Sequence, residues 1–291
     1  MKPAAFKYLV PDTLTEALEL KAEYGDEAKF LAGGQSLVPM MNFRLAAPAV
    51  LVDINRIAGL DGVRETDAGG LRLGALTRHR DLIGDGRIAV RQPLVGEAAI
   101  QVAHPQIRNR GTLGGNLAHA DPASELPAVM LALGARLLVR SSGGERWIDA
   151  DSFFLGVFST SLTEVEMLAE VELPDLRPRT GVCFLEVARR SGDFAMMGVA
   201  AVVSLSEDGT CSRARLAYCG AGPTAMAATE AAASLGGQHL DEAAFAAAAE
   251  IMQTEIDPTE NVNASIGYQR HLAGVLTRRA LGQALVRAMS A

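Results

Sequence analysis

Short apolar runs and alternating stretches mark strands along this chain, and longer amphipathic stretches mark helices between them. Thr13 or Thr15 can cap a helix that runs to about Tyr24, where Gly25 stops it. Residues 28–31 form a short apolar strand that runs into Ala32-Gly33-Gly34-Gln35-Ser36. Residues 50–54 are a second strand, and residues 70–76, which alternate after a glycine pair, are a third. Residues 81–102 read as helix broken near Pro93. A second glycine-rich loop follows, Gly111-Thr112-Leu113-Gly114-Gly115-Asn116. Beyond it come a helix over 127–133 and strands over 135–140 and 165–173.

The pattern then breaks. Residues 174–181 hold two prolines, a glycine and several charges, so the domain boundary is placed there. The C-terminal part opens with strands around 184–189, 200–205 and 213–218. Helices follow over 224–235, 241–252 and about 268–285, the last with Leu272, Val275, Leu276 and Leu285 near one face. Strands and helices mix in both halves, which makes the fold class α+β rather than a strict βαβ alternation.

Composition narrows the function. The 291 residues suit about two domains and a large core that needs no staples. A net charge of −7 argues against a polyanion partner. Cys183, Cys211 and Cys219 form no C-x-x-C pair, so they read as free thiols, and no iron–sulfur cluster can be placed on this chain. The first residues are not a signal peptide, and no apolar run approaches the ~18 residues of a membrane span. The expected location is the cytoplasm.

Two loops carry the chemistry. Each sets several glycines beside small polar side chains: Ser36 in the first, Thr112 and Asn116 in the second. Without Cβ atoms, backbone N–H groups can converge on an anion. The pair suits a pyrophosphate, although each alone also suits a tight turn, and spacing does not name the ligand. Gly220-Ala221-Gly222-Pro223-Thr224-Ala225 imitates a dinucleotide fingerprint, but it lacks the βαβ context, and Pro223 removes a donor. It reads as a strand–helix turn. The five histidines show no metal spacing and read as surface or local structure. Arg189-Arg190-Ser191-Gly192-Asp193-Phe194-Ala195 reads either as a solvated turn or as a turn presenting a ring and an acid to a ligand.

Taken together, four segments give a specific resemblance. They are 32–37, Arg110 to Asn116, Ala120-Asp121-Pro122-Ala123-Ser124-Glu125-Leu126-Pro127, and 190–195. In order and spacing the chain resembles the medium, FAD-binding subunit of the molybdenum hydroxylases, the carbon monoxide dehydrogenase and xanthine dehydrogenase relatives. The resemblance implies an FAD domain of the vanillyl-alcohol-oxidase type over 1–176, with lobes of about 1–54 and 55–176. A smaller C-terminal α+β domain over 177–291 would follow. It implies that non-covalent FAD is cradled by Ala32, Gly33, Gly34, Gln35, Ser36 and Leu37, and by Gly111, Thr112, Leu113, Gly114, Gly115 and Asn116. Asp121 and Glu125 would add polar contacts, Val102 and Leu168 apolar ones, and Asp193 and Phe194 would lie near the flavin ring. Gln35 stands where carbon monoxide dehydrogenases carry His, and Leu185 where xanthine dehydrogenases carry a basic residue. Neither carbon monoxide as substrate nor NAD as acceptor is therefore implied.

Such a subunit takes electrons from 2Fe–2S clusters on a small partner, which receives them from a large molybdenum-cofactor subunit, in a dimer of heterotrimers. No catalytic acid–base pair is expected on this chain. The rival readings are a non-catalytic nucleotide- or phosphate-binding module and a self-contained flavin oxidase.

Overall fold

The computed structural model describes residues 2–291 and has the expected α+β architecture. The first unit is a three-stranded parallel sheet. Its central strand, Val50–Asp53, lies between Lys7–Leu9 and Ala28–Leu31. Parallel strands need crossovers: the helix Leu14–Tyr24 joins the two outer strands, and the stretch holding the helix Leu37–Asn42 joins Ala28–Leu31 to the central one. Thr13, not Thr15, caps the first of these helices: the Thr13 hydroxyl accepts the Glu16 amide at 3.2 Å. Gly25, at φ 49°, ends it. The strand Lys7–Leu9 escapes sequence reading because its side chains are mostly exposed and carry no apolar period.

The second unit is an antiparallel five-stranded sheet in the order Val63–Glu65, Leu71–Gly74, Met167–Leu173, Arg136–Ser141, Gly144–Asp149. Its three inner strands are those the sequence predicts. The two edge strands are mostly exposed and were not legible. The single broken helix expected over 81–102 is three short ones, His79–Gly84, Gly86–Arg91 and Pro93–Ala99. The additional break falls at Asp85, whose carboxylate accepts the Arg87 amide at 2.8 Å and restarts the helix. The helix expected from 127 begins at Glu125 and ends at Leu133, and every one of its residues is buried. A helix that is apolar all round must be covered all round.

The C-terminal sheet provides that cover. It is antiparallel, in the order Thr180–Ala188, Ala195–Leu205, Cys211–Cys219, Met226–Ala227. Alternation splits its two faces. Val182, Phe184, Ala200, Val202, Ala217 and Cys219 join the core of the second unit. Cys183, Val199, Ala201, Val203, Leu216 and Tyr218 face the helices Glu242–Glu255 and Ile266–Ser290. The buried Tyr218 hydroxyl lies 2.7 Å from Thr277 Oγ1 and ties sheet to helix. Thr180 and Gly181, inside the predicted break, are already strand, paired with Ser204 and Val203. Gly181 lets the long helix approach: a Cβ there would fall 1.9 Å from the Ala284 carbonyl oxygen.

The helix expected over 224–235 is a further correction. Only Thr229–Ser234 is helical, because Met226–Ala227 instead pairs with Ala217 and Tyr218 at the sheet edge. The glycine-rich stretch before it therefore joins two strands rather than a strand and a helix. No helix among the described residues is long and apolar enough to cross a membrane.

Candidate functional site

A cavity of about 830 Å³ lies where the two N-terminal units meet, and the Gly192-Asp193-Phe194 turn closes one side. Ala32 to Leu37 form one wall. The strand Ala28–Leu31 ends there, and the helix Leu37–Asn42 begins, so the chain must turn sharply. Gly34 makes the turn at φ 73°, a region closed to most side chains. The amides of Gly33, Gly34, Gln35 and Ser36 have no acceptor among the described residues. The Gln35 side chain caps its own loop by donating to the Gly33 carbonyl at 2.8 Å.

The second loop faces the first and works differently. Of the amides from Gly111 to Asn116, only that of Thr112 lacks an acceptor among the described residues. Thr112 caps the helix Leu113–His119 by accepting the Gly115 amide at 3.2 Å. The glycines serve close approach between protein segments. A Cβ on Gly114 would lie 2.5 Å from Ala75 Cβ, and one on Gly115 would lie 2.7 Å from Thr112 Oγ1. The loops also touch directly, since a Cβ on Gly33 would lie 2.4 Å from the Arg110 carbonyl oxygen.

Residues outside both motifs hold this arrangement. Asn55 donates to the Leu31 and Ala32 carbonyls at 3.1 and 2.8 Å. Arg78 donates to Asn55 Oδ1 at 2.6 Å and, through its other arm, to the Arg110 carbonyl. One bridge thus clamps both loops. His79 is buried behind the second loop, with Nε2 3.1 Å from the Thr112 carbonyl oxygen. Burial pushes its pKa down to about 4, so it is the neutral ring that positions Thr112. Its role is local structure, as expected, but it is no surface residue.

The far wall carries the acids. The Asp121 carboxylate accepts the Ala123 amide at 2.9 Å and turns the chain into the buried helix Glu125–Leu133. Ser124 Oγ lies 2.9 Å from Asn116 Oδ1 and 3.5 Å from Glu125 Oε2. Burial pushes the Glu125 carboxyl up to about 8, with the charges of Glu186 and Asp121 adding to the rise. Gly220 braces this segment from the C-terminal sheet: its amide donates to the Pro122 carbonyl at 2.8 Å. The first glycine of the apparent fingerprint is thereby occupied with protein.

Of the eighteen residues expected at the site, seventeen line the cavity, counted over the block from Ala32 to Leu37, Val102, Gly111, Thr112, Gly114 to Asn116, Asp121, Glu125, Leu168, Asp193 and Phe194. Leu113 does not. Its side chain is fully buried in the core, and its amide bonds the Thr77 carbonyl at 2.9 Å. Phe194 is 67 % exposed at the cavity mouth. The turn bearing it rests on His104, whose ring would lie 2.4 Å from a Cβ on Gly192. Sequence reading missed Asn55, Arg78 and His79, and also Phe158. The last, at φ 53°, stacks on His119 with ring centroids 4.8 Å apart. It sits in a hairpin of two very short strands, Phe154–Gly156 and Ser159–Thr160, which leave no periodic signal.

Comparison with known proteins gives a consistent answer. Residues 4–176 match the FAD binding domain in molybdopterin dehydrogenase, and residues 182–284 match the CO dehydrogenase flavoprotein C-terminal domain. The chain is 45 % identical over 288 residues to the 6-hydroxypseudooxynicotine dehydrogenase complex subunit alpha of Paenarthrobacter nicotinovorans, covering 99 % of this chain and 97 % of that one. It is 38 % identical over 287 residues to the carbon monoxide dehydrogenase medium chain of Hydrogenophaga pseudoflava, covering 99 % of each. Among solved structures, the carbon monoxide dehydrogenase of Hydrogenophaga pseudoflava, lacking the Mo-pyranopterin moiety, superposes with a TM-score of 0.96 at 40 % identity over 99 % of each chain. Quinoline 2-oxidoreductase from Pseudomonas putida 86 superposes with a TM-score of 0.93 at 36 % identity, covering 99 % of this chain and 100 % of that one.

Proposed function

Because this chain belongs to the family of FAD-binding medium subunits of the molybdenum hydroxylases, we propose that the cavity between its two N-terminal units holds FAD non-covalently. The protein is the flavoprotein subunit of a multi-subunit oxidoreductase. The molybdenum cofactor and iron–sulfur clusters belong to partner subunits.

The observation that carries the site assignment is the run of four acceptorless amides from Gly33 to Ser36 in a protein wall. Unpaired backbone donors that line a cavity await a ligand with many acceptors. A pyrophosphate fits this description, and Thr112 and Asn116 add donors from the opposite loop. Val102 and Leu168, both nearly buried, offer apolar walls. Phe194 places an aromatic ring from the C-terminal domain over the opening. The flavin supplies the one- and two-electron chemistry. The chain's own residues bind it, orient it and set its surroundings; no acid–base pair acting on substrate is needed.

The domain division follows the same reading: 1–176 as a two-lobed FAD domain and 177–291 as the C-terminal domain. The chain works with a small subunit carrying 2Fe–2S clusters and a large molybdenum subunit, in a dimer of heterotrimers in the cytoplasm. The test is to purify the chain from its source with whatever accompanies it. Stoichiometric FAD, iron and molybdenum in a particle of twice three subunits supports the reading. A colourless chain free of partners and unable to take up FAD in any assembly refutes it, and leaves the binding module. Substrate-dependent flavin reduction by the chain without iron or molybdenum promotes the self-contained oxidase.

A further inference from the structure

A peptide unit is planar and trans, so a C=O held on one side aims the N–H that follows it to the other. Two of the acceptorless amides in the first loop are fixed in this way. Asn55 Nδ2 donates to the Ala32 carbonyl at 2.8 Å, which sets the direction of the Gly33 N–H. Gln35 Nε2 donates to the Gly33 carbonyl at 2.8 Å, which sets that of the Gly34 N–H. Gly33 lines the cavity and Asn55 does not, so the bond from Asn55 turns the Gly33 N–H away from Asn55 and toward the cavity.

Asn55 is itself held from several sides. Its backbone amide and its Nδ2 both donate to Asp53 Oδ1, at 2.9 and 2.6 Å, at the end of the strand Val50–Asp53. A side-chain amide has two protons, and the two shortest contacts, to Asp53 Oδ1 and the Ala32 carbonyl, account for them. The Leu31 carbonyl, 3.1 Å from Nδ2, already accepts the Ile54 amide at 3.2 Å. The Asn55 oxygen faces the second unit, where Arg78 Nη2 donates to it at 2.6 Å.

Arg78 starts from a rigid place. Its backbone forms a bridge with Thr112, flanked by the His79 amide on the Gly111 carbonyl at 3.0 Å and the Leu113 amide on the Thr77 carbonyl at 2.9 Å. Arg78 Nη1 holds the Arg110 carbonyl, whose oxygen is the atom nearest to where a Gly33 Cβ would stand. One arm thus holds the second loop and the other, through Asn55, the first. A planar guanidinium reaches two acceptors in fixed directions, whereas a lysine ammonium is a single point on a flexible stem.

We propose that Arg78 is a positioning residue for cofactor binding: through Asn55 it aims the Gly33 amide at the phosphate oxygens, so that docking of the two N-terminal units completes the anion site. The proposal rests on the FAD reading of the cavity. Neither Arg78 nor Asn55 lines the cavity, so both act through the loop rather than on the cofactor. Aim matters because a hydrogen bond weakens steeply once its angle falls below ~120°. Without Arg78, Asn55 loses the partner that orients its amide, and the Ala32–Gly33 peptide is free to turn with it. The isoalloxazine end of the cavity, at Val102, Leu168 and Phe194, belongs to other segments and keeps its surroundings.

The test uses the intact complex with Arg78→Gln, Asn55→Ala and both together. FAD is stripped with a chaotropic salt and titrated back to give its dissociation constant. Tm is measured on the stripped complex, and the flavin midpoint potential at saturating FAD. Each single variant should bind FAD about tenfold more weakly, the loss expected for one misaimed hydrogen bond to a charged group. The double variant should be no weaker than the worse single one, because both changes break the same chain of contacts. Arg78→Lys, which keeps a donor for Asn55, should recover part of the affinity, and the midpoint potential should not move. Affinity within about twofold of wild type in both single variants, or losses that multiply in the double variant, overturn the positioning role. So does weaker binding that comes with a shifted potential, or with a fall of more than about 4 °C in the Tm of the stripped complex, since general loosening of the fold explains both. A wild-type complex that takes up no FAD overturns the cofactor assignment instead.

Discussion

Gly33→Ala puts the loop-to-loop contact to the test. The added Cβ would stand 2.4 Å from the Arg110 carbonyl oxygen, 2.8 Å from Gly111 Cα and 3.0 Å from the Arg110 carbonyl carbon. All three are backbone atoms, so no rotamer change relieves the clash. Restoring ordinary contact near ~3.5 Å moves the loops apart by about 1 Å. Overpacking of this kind costs about 1–3 kcal/mol. At roughly 2–4 °C per kcal/mol for a domain of this order, Tm should fall by several degrees. The same shift misaligns the amides of Gly33 to Ser36. Losing one hydrogen bond to a charged group costs about 1.5–3 kcal/mol, or a ten- to hundred-fold weaker hold on FAD. The assay is flavin released per molybdenum in the purified complex, with Tm measured alongside. Gly86→Ala is the control, since nothing lies within 4 Å of a Cβ there. Gly33→Ala with full FAD occupancy and wild-type Tm would refute the reasoning.

Three further outcomes are expected. Phe194→Ala should leave the unfolding free energy within about 0.5 kcal/mol of wild type, because the ring is 67 % exposed, while changing flavin fluorescence; an unchanged spectrum and potential would remove Phe194 from the flavin ring. Acid precipitation should release all flavin into the supernatant, and colour that stays in the pellet would disprove non-covalent binding. Arg146 grips Glu166 at 2.7 Å and holds its carboxyl down to about 2, against an ordinary value of 4.5. A depressed acid stabilises above its unfolded pKa and loses that contribution as pH falls through the folded one. Arg146→Ala should therefore destabilise at pH 7 by about 1 kcal/mol, the arginine being half exposed, and the gap should close between pH 4.5 and 2. Parallel denaturation curves for wild type and variant down to pH 2 would contradict this account.

The sequence determined the elements whose signal is local. A threonine cap at Thr13 or Thr15 and the Gly25 stop, the inner strands with two-residue alternation, and the long C-terminal helix are written in neighbouring residues, because caps and periods act over a few positions; the structure chose Thr13. The two glycine loops were legible for the same reason: glycine clusters beside Ser36 and Thr112 narrow what a backbone can do. Tertiary structure decided what each glycine is for. Gly33 to Ser36 leave amides open, whereas Gly111 and Gly114 let protein segments close on one another and Gly115 leaves room for the Thr112 cap, and nothing in the two motifs distinguishes these uses. The edge strand Met226–Ala227, expected as helix, formed because a neighbouring strand offered hydrogen-bond partners, which outweigh weak local propensity. Asn55, Arg78 and His79 lie far from either motif in sequence and meet them only in space. Glu186 is one acid among thirty-four Asp and Glu residues until the fold buries its Oε2 without a hydrogen-bond partner. Burial and partnership depend on the whole chain closing around a point, so no stretch of sequence encodes them alone.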